Sequence, residues 1–253
     1  MIESFGATDL GRARQLNEDS LLVDDEFGLY IVADGMGGHN AGEIASQLAV
    51  ETVFNFVQRS RGDEDITWPY GVDPKLSINS NRLRTAIMLA NRRVWREADN
   101  RREYTGMGTT IVSALLTGDT VSFAWAGDSR AYRIRSGELE QITTDDSWVQ
   151  AAIREGVLRP EEANTHPMRN IITKAVGARE EIDVRSREER LEDGDLYLLC
   201  TDGLHGMVED PSILQIAKQS AGDLERSVRD LIGAANKNGG KDNITAIVFR
   251  YRR

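Results

Sequence analysis

The apolar runs of this chain are grouped into blocks of strands and blocks of helices, and this order constrains the fold most. Strand-like runs occupy residues 20–25, 28–34, 109–117, 120–126, 130–135, 181–188, 195–201 and 244–252. Helical spacing of apolar residues occurs at 40–59, 81–103, 211–219 and 223–236, with a polar, partly helical stretch at 144–166. A parallel doubly wound sheet would need strands and helices in alternation, so the order predicts an α+β fold built in layers.

Composition and charge limit the partners and the location. With 40% hydrophobic and 28% charged residues, the 253-residue chain can form the core of one large domain. Its net charge of −10 disfavours nucleic acid and anionic membranes as main partners. It has no apolar run near the length of a membrane span, and its N-terminal residues do not resemble a secretion signal. The lone Cys200 ends an apolar run and suits a reducing compartment. We expect a cytoplasmic monomer in which Cys200 is buried and is not a nucleophile.

Four aspartates lie where predicted strands begin or end. Asp34, Asp128 and Asp202 each follow a strand-like run, and Asp242 precedes the last one. In antiparallel sheets the end of one strand lies beside the start of its neighbour, so these side chains can meet at one rim. Clustered carboxylates repel each other, and they either take up protons or bind cations. Oxygen ligands without histidine or cysteine favour Mg²⁺, Mn²⁺ or Ca²⁺ over Zn²⁺. The pattern predicts a metal-dependent hydrolase.

Two local motifs suggest other chemistry, and neither suits its context. The segment DGMGGHNAGE at 34–43 has Asn40 where a dinucleotide fingerprint needs its third glycine, and Asp34 would repel a pyrophosphate. Its glycines can instead let the backbone approach a cation or substrate, although an ordinary glycine-rich turn is the alternative. The segment DEDIT, which begins at Asp63, matches the nucleophile motif of haloacid dehalogenase-type phosphatases. The polar residues before it cannot form the buried strand which that motif requires, so we treat the match as chance.

Seven segments together carry a resemblance to a known family. They are RQLNEDS (14–20), VADGMGGHNAGE (32–43), GMGTT (106–110), AGDSRAYRIR (126–135), HPMRNIITKAVG (166–177), LLCTDGL (198–204) and KDNITAIV (241–248). In this order they resemble the metal-dependent protein phosphatases, the type 2C serine/threonine phosphatases of bacteria. The resemblance extends from about residue 5 to residue 248. It implies one catalytic domain over 1–253, an αββα sandwich of two stacked, mainly antiparallel sheets, and a flap at about 145–166.

The same resemblance implies the metal ligands. Asp34 corresponds to a carboxylate that bridges two Mn²⁺ or Mg²⁺ ions, and the carbonyl of Gly35 binds the second ion. Asp202 and Asp242 correspond to ligands of the first ion. Asp128 corresponds to the residue that, with Asp202, holds a weaker third ion in bacterial relatives.

Further residues correspond to positions around these ions. Arg14 matches a phosphate-binding arginine, Glu18 and Asp19 match carboxylates that hold metal-bound water, and Asn243 is expected to orient the adjacent metal-site loop. The implied reaction is hydrolysis of phosphoserine and phosphothreonine in proteins, which opposes serine/threonine kinases. In the implied mechanism, bound cations lower the pKa of water, so that a metal-bridging hydroxide is available near neutral pH. The hydroxide attacks phosphorus directly, and no phosphoenzyme is required.

The leaving alkoxide needs a proton, and the chain has three histidines, His39, His166 and His205. His39 lies in the glycine loop and is our candidate general acid. A histidine that packs in the loop or faces solvent is the alternative, and metal-bound water could also donate the proton. His166 corresponds to a structural position of the family, and His205 has no assignment.

Some features leave alternatives open. Asp146 stands at a flap position where members of the resembled family often carry histidine. Trp148 can be a packing anchor or a substrate platform, and the polar excursion at 60–80 can fold onto its own domain or dock a partner. Two alternative functions also remain: a phosphatase dedicated to an anti-sigma-antagonist protein, and a catalytically inactive binding module.

Overall fold

The computed structural model describes residues 1–38, 41–62, 66–220 and 222–253. The strands are β1 (Ile2–Asp9), β2 (Asp19–Asp24), β3 (Leu29–Met36), β4 (Gly108–Thr109), β5 (Ile111–Thr117), β6 (Thr120–Ala126), β7 (Arg130–Arg135), β8 (Glu138–Gln141), β9 (Arg185–Arg190), β10 (Leu196–Cys200) and β11 (Ile244–Tyr251). The helices are α1 (Ala41–Gly62), α2 (Ile78–Asn100), α3 (Trp148–Arg154), α4 (Asp202–His205), α5 (Asp210–Gln219) and α6 (Leu224–Lys237). Short 3₁₀ turns occur at Arg102–Tyr104 and Pro160–Thr165.

The strands form two antiparallel sheets. The first sheet has the order β1-β11-β10-β7-β8, and the second has the order β2-β3-β5-β6-β9, with β4 paired to the end of β3. The first and last strands of the chain are neighbours, paired from Ile2 opposite Tyr251 to Asp9 opposite Ile244. Every strand pair is antiparallel, as the block order of the sequence predicts.

Three apolar clusters separate four layers, and they confirm the αββα sandwich. Between the sheets, the rings of Tyr30 and Tyr197 stack on Phe249, with centroids 4.4 Å and 5.0 Å from it. Helices α1 and α2 cover the outer face of the second sheet with side chains such as Val53 and Ile87. The outer face of the first sheet is covered by α4, α5 and α6. Burial of these faces supplies the main driving force for the fold.

The polar excursion at 60–80 folds back on its own domain where the structure describes it. The ring of Trp68 packs edge-on against Phe56 of α1, with centroids 5.9 Å apart. The hydroxyl of Tyr70 donates to the carbonyl of Met88 in α2 at 3.4 Å. Helix α2 begins at residue 78, three residues earlier than the apolar spacing predicted. Ser77 caps it, because its Oγ accepts a hydrogen bond from the amide of residue 80.

Two strands at the margins of the first sheet were not predicted. β1 pairs only with β11, and β8, with the sequence ELEQ, pairs only with β7. Edge strands need few apolar residues, so their pattern resembles that of loops. Cys200 is fully buried between the first sheet and its helices, as expected. Across the described ranges, no helix combines the length and apolar character needed to cross a membrane.

Candidate metal centre

The ends of five strands meet at one rim of the sandwich. In the second sheet, Asp19 at the start of β2 lies opposite Asp34 near the end of β3. In the first sheet, Cys200 at the end of β10 lies opposite Arg130 at the start of β7. Thr201 Oγ1 donates to Asp19 Oδ2 at 2.9 Å and joins the two sheets at this rim. The segments before β7, after β10 and before β11 therefore lie beside β2 and β3.

Five carboxylates lie close together at this rim. Four are the aspartates that the strand ends predicted, and the fifth, Asp19, was indicated by the family resemblance. Burial, and then the negative charges of Asp19, Asp202, Asp128 and Asp242, raise the pKa of Asp34 well above its ordinary value. Burial is also the main cause that raises the pKa of Asp19 and that of Asp128, each to about 7. The pKa of Asp202 is raised by burial and by the charge of Asp242. The group cannot stay fully ionised near neutral pH without added positive charge.

Two of these carboxylates have an oxygen to which a cation could bind. Asp19 Oδ2 accepts from the hydroxyls of Thr201 at 2.9 Å and Thr245 at 2.6 Å. Its Oδ1 and the Oδ1 of Asp202 are buried and have no hydrogen-bond donor among the described residues. Buried carboxylate oxygens of this kind fit the oxygen preference of Mg²⁺ and Mn²⁺. Within the described ranges, no three acidic, cysteine or histidine side chains form a complete ligand set by themselves.

Arg14 supplies positive charge at the edge of the cluster. Its Nη2 donates to Asp242 Oδ2 at 2.7 Å, and the two side chains are 47% and 30% exposed. This hydrogen bond is the main cause that raises the pKa of Arg14. Burial raises the pKa of Glu18, which the charge of Arg14 partly counteracts. The guanidinium is thus accessible from solvent and already engaged with the rim.

Gly35 lies where only glycine fits. A Cβ there would come within 2.0 Å of the carbonyl oxygen of Gly42 and 2.5 Å of that of Glu18. The amide of Gly35 also donates to the carbonyl of Glu18 at 3.1 Å. The glycine segment therefore packs against the backbone of the Glu18 loop, in line with the close approach expected from the sequence. His39, the candidate general acid, and the neighbouring Asn40 lie outside the described residues.

Asn243 fixes the loop that carries Arg14. Its Oδ1 accepts from the amide of Glu18 at 2.9 Å, and its Nδ2 donates to the carbonyls of Leu10 at 3.0 Å and Leu16 at 2.9 Å. The side chain closes residues 10–16 into a loop and attaches it to the segment of Asp242.

His205 contributes a contact that the sequence did not indicate. Its Nε2 is 3.0 Å from the carbonyl oxygen of Asp128, so the ring donates this hydrogen bond. Burial, and then the charge of Arg130, lowers the pKa of His205 to about 3, so the ring is neutral. Arg130 in turn donates to both carboxylate oxygens of Asp145. These contacts hold the turn that carries Asp128.

The base of the flap rests on Asp146. Its amide donates to the carbonyl of Gly127 at 2.8 Å, beside Asp128. Its carboxylate is 1% exposed and lies 2.9 Å from the guanidinium of Arg185 and 3.7 Å from Lys174. These residues line a cavity of about 360 Å³ beneath α3. The ion pairs provide the charge partners that an aspartate needs at this buried position.

Trp148 is a packing residue, the first of the two alternatives. Its ring stacks on His166 with centroids 4.9 Å apart and an interplanar angle of 21°. Helix α3 is capped by Ser147, whose Oγ accepts from the amide of Gln150. The stack joins the two ends of the flap.

Comparison with known proteins gives consistent matches. Residues 11–248 match the family model described as protein phosphatase 2C. The chain is 36% identical to the serine/threonine protein phosphatase PstP of Mycobacterium tuberculosis over 95% of its own length, and it spans 43% of that protein. It is 35% identical to the serine/threonine phosphatase stp of Listeria monocytogenes, covering 95% of this chain and 92% of that one.

Solved structures agree with the layered fold. A crystal structure of the Mycobacterium tuberculosis phosphatase PstP/Ppp superposes with a TM-score of 0.87 at 34% identity, covering 100% of this chain and 99% of that chain. The catalytic domain of PstP in complex with two manganese ions superposes with a TM-score of 0.83 at 33% identity, with the same coverage.

Proposed function

Because this chain belongs to the protein phosphatase 2C family, we propose that it is a metal-dependent phosphatase that hydrolyses phosphoserine and phosphothreonine in proteins and so opposes serine/threonine kinases. The observation that carries the proposal is the group of five carboxylates at one rim, of which Asp19, Asp34, Asp128 and Asp202 have raised pKa values, together with two buried carboxylate oxygens that lack donors. A site built only for structure would not gather like charges in this way, since each unit of raised pKa costs about 1.4 kcal/mol.

We assign Asp34, the carbonyl of Gly35, Asp202 and Asp242 to two Mn²⁺ or Mg²⁺ ions, and Asp128 with Asp202 to a weaker third. The proximity of these side chains and the donor-free Oδ1 of Asp202 support the assignment. When bound, the cations would lower the pKa of water, so that hydroxide attacks phosphorus near neutral pH, and would offset the charge of the phosphate.

The residues of the chain bind and orient the phosphate. Arg14 can move its guanidinium from Asp242 to the substrate, because both side chains are partly exposed. Its planar fork matches two phosphate oxygens. Asn243 keeps the Arg14 loop in place through the carbonyls of Leu10 and Leu16. Glu18 and Asp19 lie at the start of β2, where they can accept hydrogen bonds from water in the site.

We propose direct attack by water, with no phosphoenzyme. A bond forms between the water oxygen and phosphorus, the bond from phosphorus to the serine or threonine oxygen breaks, and the leaving oxygen gains a proton. Cys200 does not compete as a nucleophile, because it is fully buried and burial raises the pKa of its thiol.

His39 is our candidate donor of that proton, on sequence grounds alone. We expect His39→Ala to lower turnover more for a phosphothreonine peptide than for p-nitrophenyl phosphate, whose leaving group departs without a proton. Turnover of both substrates at saturating Mn²⁺ measures the difference. Equal losses on the two substrates would reject the role.

A direct assay tests the function. Hydrolysis of p-nitrophenyl phosphate and of a phosphothreonine peptide should require Mn²⁺ or Mg²⁺, and EDTA or Asp202→Ala should abolish it. Asp99→Asn, an exposed change in α2, is the matched control that keeps activity. Activity that survives chelation would reject the metal site, whereas inactivity with every metal would favour the binding module.

We extend the proposal to the whole chain and its setting. Residues 1–253 form one catalytic domain with the flap at 145–166. Its partners are phosphorylated proteins, including serine/threonine kinases and their substrates. It is a monomer and acts in the cytoplasm.

A further inference from the structure

A patch of exposed cations lies next to the candidate metal centre. The basic patch consists of Arg12, Lys237 and Lys241. The amide of Arg12 donates to the carbonyl of Gly240 at 2.7 Å, and its Nε donates to the carbonyl of Asn236 at 3.3 Å. These contacts place Arg12 beside the segment 237–241, and Lys241 directly precedes the candidate ligand at position 242. The patch therefore borders the site where the phosphate would bind.

The charges of the basic patch are not neutralised within the fold. Among the described residues, none of its three cations has a carboxylate within ion-pair distance, whereas Arg14 is paired with Asp242. The nearby Asp9 uses its Oδ1 to accept from the amide of Gly11 and from Asn236 Nδ2, both at 2.9 Å. The chain as a whole has a net charge of −10. The basic patch is therefore a local region of unpaired positive charge on a protein whose net charge is negative.

The backbone that carries the basic patch is held firmly. Asn243 binds the carbonyls of Leu10 and Leu16, and the amides of Arg12 and Ala13 both donate to the carbonyl of Gly240. A ligand that meets these cations does not need to order the loop first. Such preorganisation lowers the free-energy cost of binding.

We propose that the basic patch is a specificity subsite, which favours target phosphoserines or phosphothreonines that have glutamate or aspartate a few residues away in the substrate protein. The inference rests on the proposed function. A bound phosphopeptide extends from the metal centre across the rim, where Lys241 and Arg12 can meet carboxylates of its flanking residues. The acidic remainder of the surface repels other acidic proteins and makes the patch the preferred place of contact.

Three phosphothreonine peptides of equal length test the inference. They differ only at the flanking positions, which carry glutamate, alanine or lysine. With Mn²⁺ at low ionic strength, kcat/KM should be highest for the glutamate peptide and lowest for the lysine peptide, with most of the difference in KM. The preference should shrink at high salt, because the patch is exposed.

Variants then locate the preference. In Lys237→Gln/Lys241→Gln, the ratio of kcat/KM for the glutamate peptide to that for the alanine peptide should fall by about 1.4- to fivefold per removed charge, the range for exposed pairs. Arg12→Gln is made separately, because its stem also packs on Gly240. Lys75→Gln, on the loop before α2, is the matched control and should keep the wild-type ratio.

Four outcomes would contradict the specificity subsite or the proposed function. Equal kcat/KM for the three peptides would overturn the subsite and leave the proposed function intact. A preference that the double variant retains in full would also overturn it. Competition by a DNA duplex, without any preference among the peptides, would assign the patch to nucleic acid. Inactivity on every phosphopeptide would contradict the proposed function itself, and with it the inference.

Discussion

Replacing Asp128 by asparagine should stabilise the metal-free protein at pH 8. Asp128 follows β6 and is 7% exposed. Burial, then the charges of Asp202 and Asp145, raises the pKa of Asp128 to about 7 from its ordinary value of 3.8. Above that pH the folded protein must hold an ionised carboxylate where it is disfavoured. Asparagine has nearly the same shape and no charge, so it removes this cost.

The sign and size follow from proton linkage. Because the folded pKa lies above the unfolded one, the folded state binds more protons between about pH 4 and 7, and the free energy of unfolding falls as pH rises through this window. A difference of about three units corresponds to a ceiling of about 4 kcal/mol. Relaxation and solvent around the site reduce the effect, so we expect about 2 kcal/mol at pH 8. For a domain of this size, that raises the Tm by about 4–8 °C.

Thermal unfolding in EDTA at pH 8 and pH 5 is the measurement. The gain of Asp128→Asn should shrink to less than half at pH 5, where the folded wild type is already protonated. Adding Mn²⁺ at pH 8 should stabilise the wild type more than the variant, since the cation offsets the same repulsion. Asp99→Asn, an exposed change in α2, is the matched control and should show no pH-dependent gain. An Asp128→Asn protein no more stable than wild type at pH 8 in EDTA would refute the reasoning.

Three further substitutions probe the rim and the sheets. Arg14→Lys should lower kcat/KM for p-nitrophenyl phosphate by about tenfold or more, because lysine cannot donate two parallel hydrogen bonds to phosphate; an unchanged value would exclude Arg14 from phosphate binding. Gly203→Ala should lower the free energy of unfolding in urea by about 3 kcal/mol, because its Cβ would lie 1.9 Å from the carbonyl oxygen of Asn243. An unchanged free energy of unfolding would show that the backbone relaxes around the added methyl group at no cost. Arg135→Ala should lower the free energy of unfolding in the same assay by about 3 kcal/mol, since the carboxylate of Asp195, 1% exposed, loses both hydrogen bonds from the guanidinium. A loss below 1 kcal/mol would show that the amide of Glu192 and the hydroxyl of Tyr197 are sufficient partners for this carboxylate.

The buried strands of the fold could be predicted from the sequence, because a strand that is buried on both faces consists of an unbroken run of apolar residues. β10, with the sequence LYLLC, is buried at every residue, and an unbroken apolar run of that length between turn residues predicts a central strand. The margins were harder. β1 and β8 each have one neighbour, so their residues are half-buried or exposed and carry no clear period. Their existence depends on a partner strand, which local sequence does not specify.

The candidate site shows the same division between local and distant signals. Four of the rim aspartates could be located from the sequence, because each adjoins a recognisable strand, whereas Asp19 was found only through the family resemblance. The contacts that support them join residues far apart in the chain, such as His205 with the carbonyl of Asp128, or Asn243 with Leu10. A histidine after LLCTDGL or an asparagine after an aspartate has no local pattern that names such a partner. The family resemblance already indicated an orienting role for Asn243, but its partners Leu10 and Leu16, and the contact made by His205, are seen only in the folded chain.

Asp146 shows how a buried carboxylate close to the rim is balanced by its own neighbours. A carboxylate at this position adds a negative charge beside the turn of Asp128, which would deepen the repulsion at the rim. Two neighbouring cations offset this charge, because Arg185 and Lys174 form ion pairs with the Asp146 carboxylate beneath the flap. Asp146 is also absent from the main influences on the pKa of Asp128, which are burial and the charges of other residues. Asp146 therefore helps to hold the base of the flap, while the charge that a metal ion would meet at the rim is set by the rim aspartates.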